Sequence, residues 1–118
     1  MHRRAVAFMV LALLVATGYA DGEETYRVVI KFGSVCCGIN FDLKDRVFQL
    51  LSERDEQKGI FLDRDMVYWG EEGEFNLCLK LSELSVSEQK ELTERLQLMI
   101  GASDLVKLEE NIICKAGW

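Results

Sequence analysis

The chain contains no proline, and its single histidine, His2, lies at the N-terminal end. Because His2 falls in a segment that we predict to be removed, the remaining chain has no histidine. Such a chain cannot form a Ser-His-Asp triad, a Cys-His dyad or a Cys/His zinc site. We also find no low-complexity or repeated segment that would mark a linker between domains. These absences favour one small domain that is not an enzyme.

The first twenty residues have the three parts of a secretory signal peptide. A positively charged start is followed by an uninterrupted apolar run at 5–15 and by small residues before a cleavage site at Ala20. This run is shorter than the roughly 20 residues that cross a bilayer, although an uncleaved anchor is the alternative. We therefore expect residues 1–20 to be a signal peptide and residues 21–118 to form one small α+β domain. The mature protein is then exported, to a periplasm or to the extracellular space.

Acidic residues outnumber basic residues by 20 to 14 in the full chain. Cleavage after Ala20 removes Arg3 and Arg4 but no acidic residue, so that 12 basic residues face 20 acidic ones and the net charge becomes −8. An acidic surface repels the phosphates of nucleic acids and of anionic lipids. We expect no nucleic-acid partner and no membrane association after signal cleavage. If the charge serves recognition rather than solubility, the expected partner is a basic exported protein.

All four cysteines, Cys36, Cys37, Cys78 and Cys114, follow the predicted signal peptide. An even number of cysteines in an exported domain favours structural disulfides, which commonly stabilise small domains by about 2–4 kcal/mol each. Four cysteines allow three connectivities. A bond between the neighbours Cys36 and Cys37 is rare, so we expect each of them to pair separately with Cys78 or Cys114.

The adjacent Cys36 and Cys37 also support an alternative interpretation. Thiolates are good ligands for soft metals such as Cu(I) or Zn(II). A thiol near the start of a helix ionises more readily, because the helix N-terminus stabilises negative charge. The alternative function is therefore a copper or zinc carrier that uses Cys36 and Cys37, whereas the favoured interpretation has no cofactor and no metal. A thiol-disulfide oxidoreductase ranks third, because the chain lacks a Cys-x-x-Cys motif.

Hydrophobic periodicity predicts the fold. Alternation indicates strands at 26–32, 60–69 and 74–81, and the tail has at least one strand, most securely at 112–116. Helical spacing indicates helices at 41–58 and from a capping box at 85–88 to Gly101. The order β-α-β-β-α-β predicts a ferredoxin-like α+β sandwich, in which an antiparallel sheet carries both helices on one face and leaves the other face open. Right-handed crossovers give the strand order 4-1-3-2.

The alternation also assigns residues to faces of this sheet. Tyr26 is expected to share one face with Val28, whereas Cys78 is expected on the face away from the helices.

The turn between the second and third strands carries the candidate binding residues. Tyr68 and Trp69 end one strand, and Glu71 and Glu72 occupy the turn. These residues form an aromatic and acidic surface of the kind that contacts protein partners, although core packing and a solvated turn are the alternatives. The sequence therefore favours an exported, acidic, disulfide-stabilised binding module without catalytic activity. Its partner binds at this turn or at a sheet edge, and a homodimer through the open sheet face or edge is a further alternative.

Overall fold

The computed structural model describes residues 24–118, which form four strands and two helices. The strands are β1 (Thr25–Phe32), β2 (Arg64–Tyr68), β3 (Phe75–Leu79) and β4 (Val106–Ile113). The helices are α1 (Phe41–Lys58) and α2 (Val86–Ile100). All pairings are antiparallel and the sheet order is β2-β3-β1-β4, which confirms the predicted ferredoxin-like arrangement and strand order.

The predicted signal peptide, residues 1–20, lies outside the described residues. Within residues 24–118, no helix is long and apolar enough to cross a membrane.

Both helices begin at the capping residues that the sequence contains. The side-chain oxygen of Asn40 accepts a hydrogen bond from the amide of Leu43 at 3.0 Å, and Gly59 ends α1 with a φ of 70°. Such a left-handed residue suits glycine because it has no side chain to clash. Ser85 and Glu88 form the predicted capping box at the start of α2. The cap at Asn40 fixes the end of the loop that follows β1.

The hydrophobic core lies between the helices and one face of the sheet. Phe32 of β1 stacks on Phe75 of β3 with ring centroids 4.7 Å apart. Leu43 and Leu51 of α1 and Leu92 of α2 are among the helical residues that pack against these strands. Because β1 is paired on both sides, it occupies the centre of the sheet, and the loop after β1 leaves from the middle of one end.

β4 and β2 differ most from the strands that the periodicity predicts, and β3 is shorter, at Phe75–Leu79 rather than 74–81. β4 covers Val106–Ile113 rather than 112–116, and it continues through the polar run Glu109-Glu110-Asn111. That run is accommodated because Lys31 and Arg27 of β1 form ion pairs with Glu109 and Glu110. β2 begins only at Arg64, because residues 60–63 lie at the end of α1 instead of pairing in the sheet.

The residues before β2 are held there by Asp55 of α1. Its carboxylate accepts hydrogen bonds from the amide of Leu62 at 2.8 Å and from the guanidinium of Arg64 at 2.7 Å. Leu62 is fully buried in the core. These contacts explain why the predicted second strand loses its first residues.

Tyr26 and Val28 do not share a face as predicted. Val28 belongs to the core, whereas the hydroxyl of Tyr26 donates a hydrogen bond to Asp65 at 2.5 Å. Asp65 precedes the core-facing residue Met66 in β2 and therefore lies on the opposite face. The pairing of β1 with β4 is interrupted opposite Asn111, which has a φ of 58°. This irregularity lets Tyr26 and Val28 point in opposite directions.

The face of the sheet opposite the helices is partly covered rather than open. Residues 114–118, here called the tail, cross it after β4. Cys114 is bonded to Cys78 of β3, with Cα atoms 6.0 Å apart. The amide of Asn76 donates hydrogen bonds to two main-chain carbonyls of the tail, at 2.7 and 2.8 Å. Asn76 and Cys78 are both fully buried on this face, so the tail is an integral layer of the domain.

Candidate functional site

One end of the domain brings together the turn after β2, the loop after β1 and the last residue of the tail. They surround a cleft of about 320 Å³. The cleft is lined by Gly33, Ser34, Val35, Trp69, Asp104, Leu105 and Trp118. Both tryptophans of the chain therefore line the same cleft. An opening with aromatic walls and a few polar groups is typical of a binding site.

Trp69 forms one wall of the cleft and is held in place by two hydrogen bonds. Its indole nitrogen donates a hydrogen bond to the side-chain oxygen of Asn76 at 3.0 Å, and its main-chain amide donates to the carbonyl of Glu74. Tyr68 lies on the other side of the strand, with its ring 5.6 Å from that of Phe75. Alternation along β2 thus separates the two aromatics that the sequence placed in one surface, although Tyr68 is 63% exposed.

Trp118 forms the second wall, and the sequence gives little indication of this role. Its ring packs on Gly33, where an added Cβ atom would lie only 2.8 Å from the ring. The main-chain oxygen of Trp118 accepts a hydrogen bond from Lys31 at 2.7 Å, and the ammonium of Lys107 lies 4.4 Å from the ring centroid. The only sequence signal for this packing is a glycine directly after a buried strand.

The two lysines beside Trp118 share the carboxylate of Glu109. Lys31 contacts the carboxylate of Glu109 at 2.9 Å, and Lys107 lies 3.9 Å from the same carboxylate. The hydrogen bond from Lys31 is the main reason why the pKa of Glu109 is lowered. Glu109 therefore offsets the charge of one of these two lysines.

The turn from Gly70 to Gly73 is organised by the carboxylate of Glu74. This side chain is buried, accepts a hydrogen bond from the amide of Glu72 at 2.7 Å, and fills the space beside Gly70. Glu71 and Glu72 are exposed, and no ion pair in the described part of the chain includes either of them. The turn thus presents two uncompensated carboxylates beside Trp69.

The expected pairing of the cysteines is wrong. Cys36 is bonded to Cys37, and Cys78 is bonded to Cys114. Cys78 is opposite Val29 in the middle of β1, whereas Cys36 and Cys37 lie beyond the end of that strand, so the tail supplies the partner for Cys78. The domain is therefore stabilised by disulfides, and two such bonds indicate a non-reducing location.

The bond between Cys36 and Cys37 bears on the metal-carrier alternative. Disulfide sulfurs are not thiolates, so this pair becomes a soft-metal ligand set only after reduction. Across residues 24–118, no group of three or more histidine, cysteine, aspartate or glutamate side chains is arranged to hold a metal ion.

The loop at 33–40, here called the cysteine loop, is anchored at both ends. The amide of Gly33 donates to the carbonyl of Leu105 at 2.7 Å, and the hydroxyl of Ser34 accepts from the amide of Gly38 at 3.3 Å. Ile39 is buried in the core. Only the tip of the loop, at 35–37, is exposed, and Val35 places this tip at the rim of the cleft.

No protein-family model, curated protein or solved structure matches the chain. The site offers two indole rings, an exposed apolar loop tip and the uncompensated carboxylates of Glu71 and Glu72. The exposed carboxylate of Asp104 lines the cleft itself and is in no ion pair within residues 24–118. This arrangement suits the binding of a cationic, partly apolar group.

Proposed function

We propose that the chain is an exported binding module without catalytic activity, and that it recognises a basic segment of a protein partner at this end of the sheet. The cleft between Trp69 and Trp118, with Asp104 in its lining, is the observation that carries the proposal. Export rests on the signal-like sequence at 1–20 together with the two disulfides.

The surroundings of the cleft have the composition of a protein-binding surface. Aromatic anchors at the centre of an interface supply most of the binding energy, and charges at the rim mainly guide association. Trp69 and Trp118 are placed as anchors, and Glu71 and Glu72 lie in the turn next to Trp69. A lysine or arginine of the partner gains both from the indole ring of Trp69 and from the carboxylates, whereas the ring of Trp118 already has Lys107 beside it.

The acidic turn is tested by reversing its charge. A library of random peptides displayed on phage is selected against the purified protein. We expect the selected peptides to be rich in lysine and arginine. The variant Glu71→Lys/Glu72→Lys should bind a selected peptide about tenfold more weakly, which corresponds to about 1.4 kcal/mol, because two attractive carboxylates become repulsive ammonium groups.

A matched control changes the same net charge elsewhere. Glu53 and Glu56 are exposed on α1, close to the end of the helix that is remote from the cysteine loop. Lysines near a helix C-terminus are tolerated, so Glu53→Lys/Glu56→Lys should fold normally. This control should bind the peptide nearly as well as the unmodified protein. Equal losses in the two variants, or selected peptides without basic residues, would contradict the proposal.

A further inference from the structure

The two disulfides differ in their contribution to the stability of the fold. Cys78 and Cys114 are 36 positions apart, Cys78 is fully buried, and their bond fastens the tail to β3. Such a bond closes a long loop and therefore restricts the unfolded chain strongly. The bond between Cys36 and Cys37 joins neighbours in the sequence, so it closes almost no chain. Loop closure therefore gives the Cys78–Cys114 bond a role in stability, but it gives the Cys36–Cys37 bond none.

The Cys36–Cys37 bond also has no role in packing the core. Both residues are exposed at the tip of the cysteine loop. The ends of this loop are held by the hydrogen bonds at Gly33 and Gly38 and by the burial of Ile39, none of which involves a sulfur atom. The loop can therefore keep its anchors when the bond opens. An exposed disulfide that is not needed for the fold is accessible to thiols, and access is a main determinant of the rate of exchange.

We propose that the Cys36–Cys37 disulfide is a reversible thiol-exchange site, whose substrates are small thiols or the cysteine of a protein partner. The incoming thiolate attacks the sulfur of Cys36 or Cys37 and forms a mixed disulfide with it. The bond between Cys36 and Cys37 breaks, and the other cysteine leaves as a thiolate that takes a proton from water. The reverse attack by this thiolate restores the original bond and releases the thiol, so no further oxidant or reductant is needed.

The position of the site gives the exchange an intrinsic signal. Val35, next to Cys36, lines the cleft together with both tryptophans of the chain. Opening the bond lets the loop tip rearrange beside the two indole rings. Tryptophan emission should therefore change when the disulfide is exchanged, although the core and the Cys78–Cys114 bond stay intact.

The proposal is tested with reduced glutathione on the native, oxidised protein. Samples are quenched with acid, free thiols are alkylated, and the modified cysteines are mapped by peptide mass spectrometry. We expect a glutathione adduct or alkylation at Cys36 and Cys37 at least about tenfold faster than at Cys78 and Cys114, because the first two are exposed, whereas Cys78 is fully buried and Cys114 is half-buried. The change in tryptophan emission should follow the same time course.

The double variant Cys36→Ser/Cys37→Ser is the control. It should keep the circular dichroism spectrum of the unmodified protein and show no glutathione-dependent change in tryptophan emission. Modification of all four cysteines at one rate would overturn the proposal. So would a native protein in which Cys36 and Cys37 resist glutathione until it unfolds, or a map that pairs Cys36 with Cys78 or Cys114. Because glutathione is the only probe, these outcomes do not depend on whether a basic peptide binds.

Discussion

Asn76 shows how one buried side chain can fix both walls of the cleft. Its oxygen accepts from the indole of Trp69, and its nitrogen donates to two carbonyls of the tail that ends at Trp118. A side-chain amide has two donor hydrogens, and both are used here. Few other side chains combine donors and an acceptor in this shape. Asn76 is therefore the residue on which the geometry of the candidate site most depends.

Asn76→Asp should destabilise the domain, because the nearly isosteric carboxylate cannot donate to the two carbonyls and carries a buried charge beside them. We expect a loss of about 2–4 kcal/mol in the free energy of unfolding, measured by urea titration at pH 7. Gln57→Ala, which removes an exposed amide from α1, should change it by less than about 0.5 kcal/mol. A stability of Asn76→Asp equal to that of the control would show that the tail is not held as described.

At the residue scale, the sequence identifies the candidate site residues better than it predicts which residues they contact. Tyr68, Trp69, Glu71 and Glu72 were identifiable because they surround a turn, and the structure places them at one end of the domain. The separation of Tyr68 from Trp69 follows from alternation along a strand, which the expectation of a single aromatic surface overlooked. The contribution of Trp118 was not predictable. Trp118 lies outside any periodic pattern, and its packing depends on Gly33, which is remote in sequence.

Local signals defined the helices because capping is a short-range interaction. α1 has the predicted bounds, with Asn40 and Gly59 at its ends, and α2 begins directly after the predicted cap Ser85. β4 was misplaced because its polar run is stabilised by residues of β1 that are far away in the sequence. The start of β2 was misplaced for a similar reason, since Asp55 of α1 holds the residues before it. Contacts with other elements of the fold therefore determine where these strands begin and end.

The cap of α2 gives the domain a dependence on pH. The hydrogen bond from Lys58 at 2.6 Å, followed by those from Ser85, lowers the pKa of Glu88 from 4.5 to about 2. A carboxyl group whose pKa is lower in the folded state stabilises the fold above its unfolded pKa, and this contribution is lost as it becomes protonated. Glu88 should therefore contribute fully above about pH 5 and lose its contribution as the pH falls towards 2.

Glu88→Gln isolates this contribution, because glutamine keeps the capping shape but carries no charge. We expect its urea midpoint to lie below that of the unmodified protein at pH 7 and the difference to shrink between pH 4.5 and pH 2. Glu94→Gln, at an exposed position of the same helix, should show no such dependence on pH. A difference for Glu88→Gln that stays constant over this range would contradict the assignment.

For the whole molecule, the two disulfides should have very different effects on stability. The chain-entropy relation for a loop of 36 residues gives about 4 kcal/mol for Cys78–Cys114. Cys78→Ala/Cys114→Ala should therefore lower the free energy of unfolding by about that amount in urea titrations. Cys36→Ser/Cys37→Ser should lower it by less than about 0.5 kcal/mol, because the loop that it opens is minimal. Similar losses in both double variants would show that the exposed bond is structural.

The pairing of β1 with β4 also has a consequence for the timing of folding. Thr25 lies opposite Ile113, so one edge of β1 is paired only by β4, the last strand within residues 24–118. As the chain emerges from a ribosome or a translocation channel, β1 keeps an unpaired edge, and Cys78 has no access to Cys114. Strand edges that stay exposed during folding favour aggregation. The sheet can therefore be completed around β1 only after β4 has been synthesised.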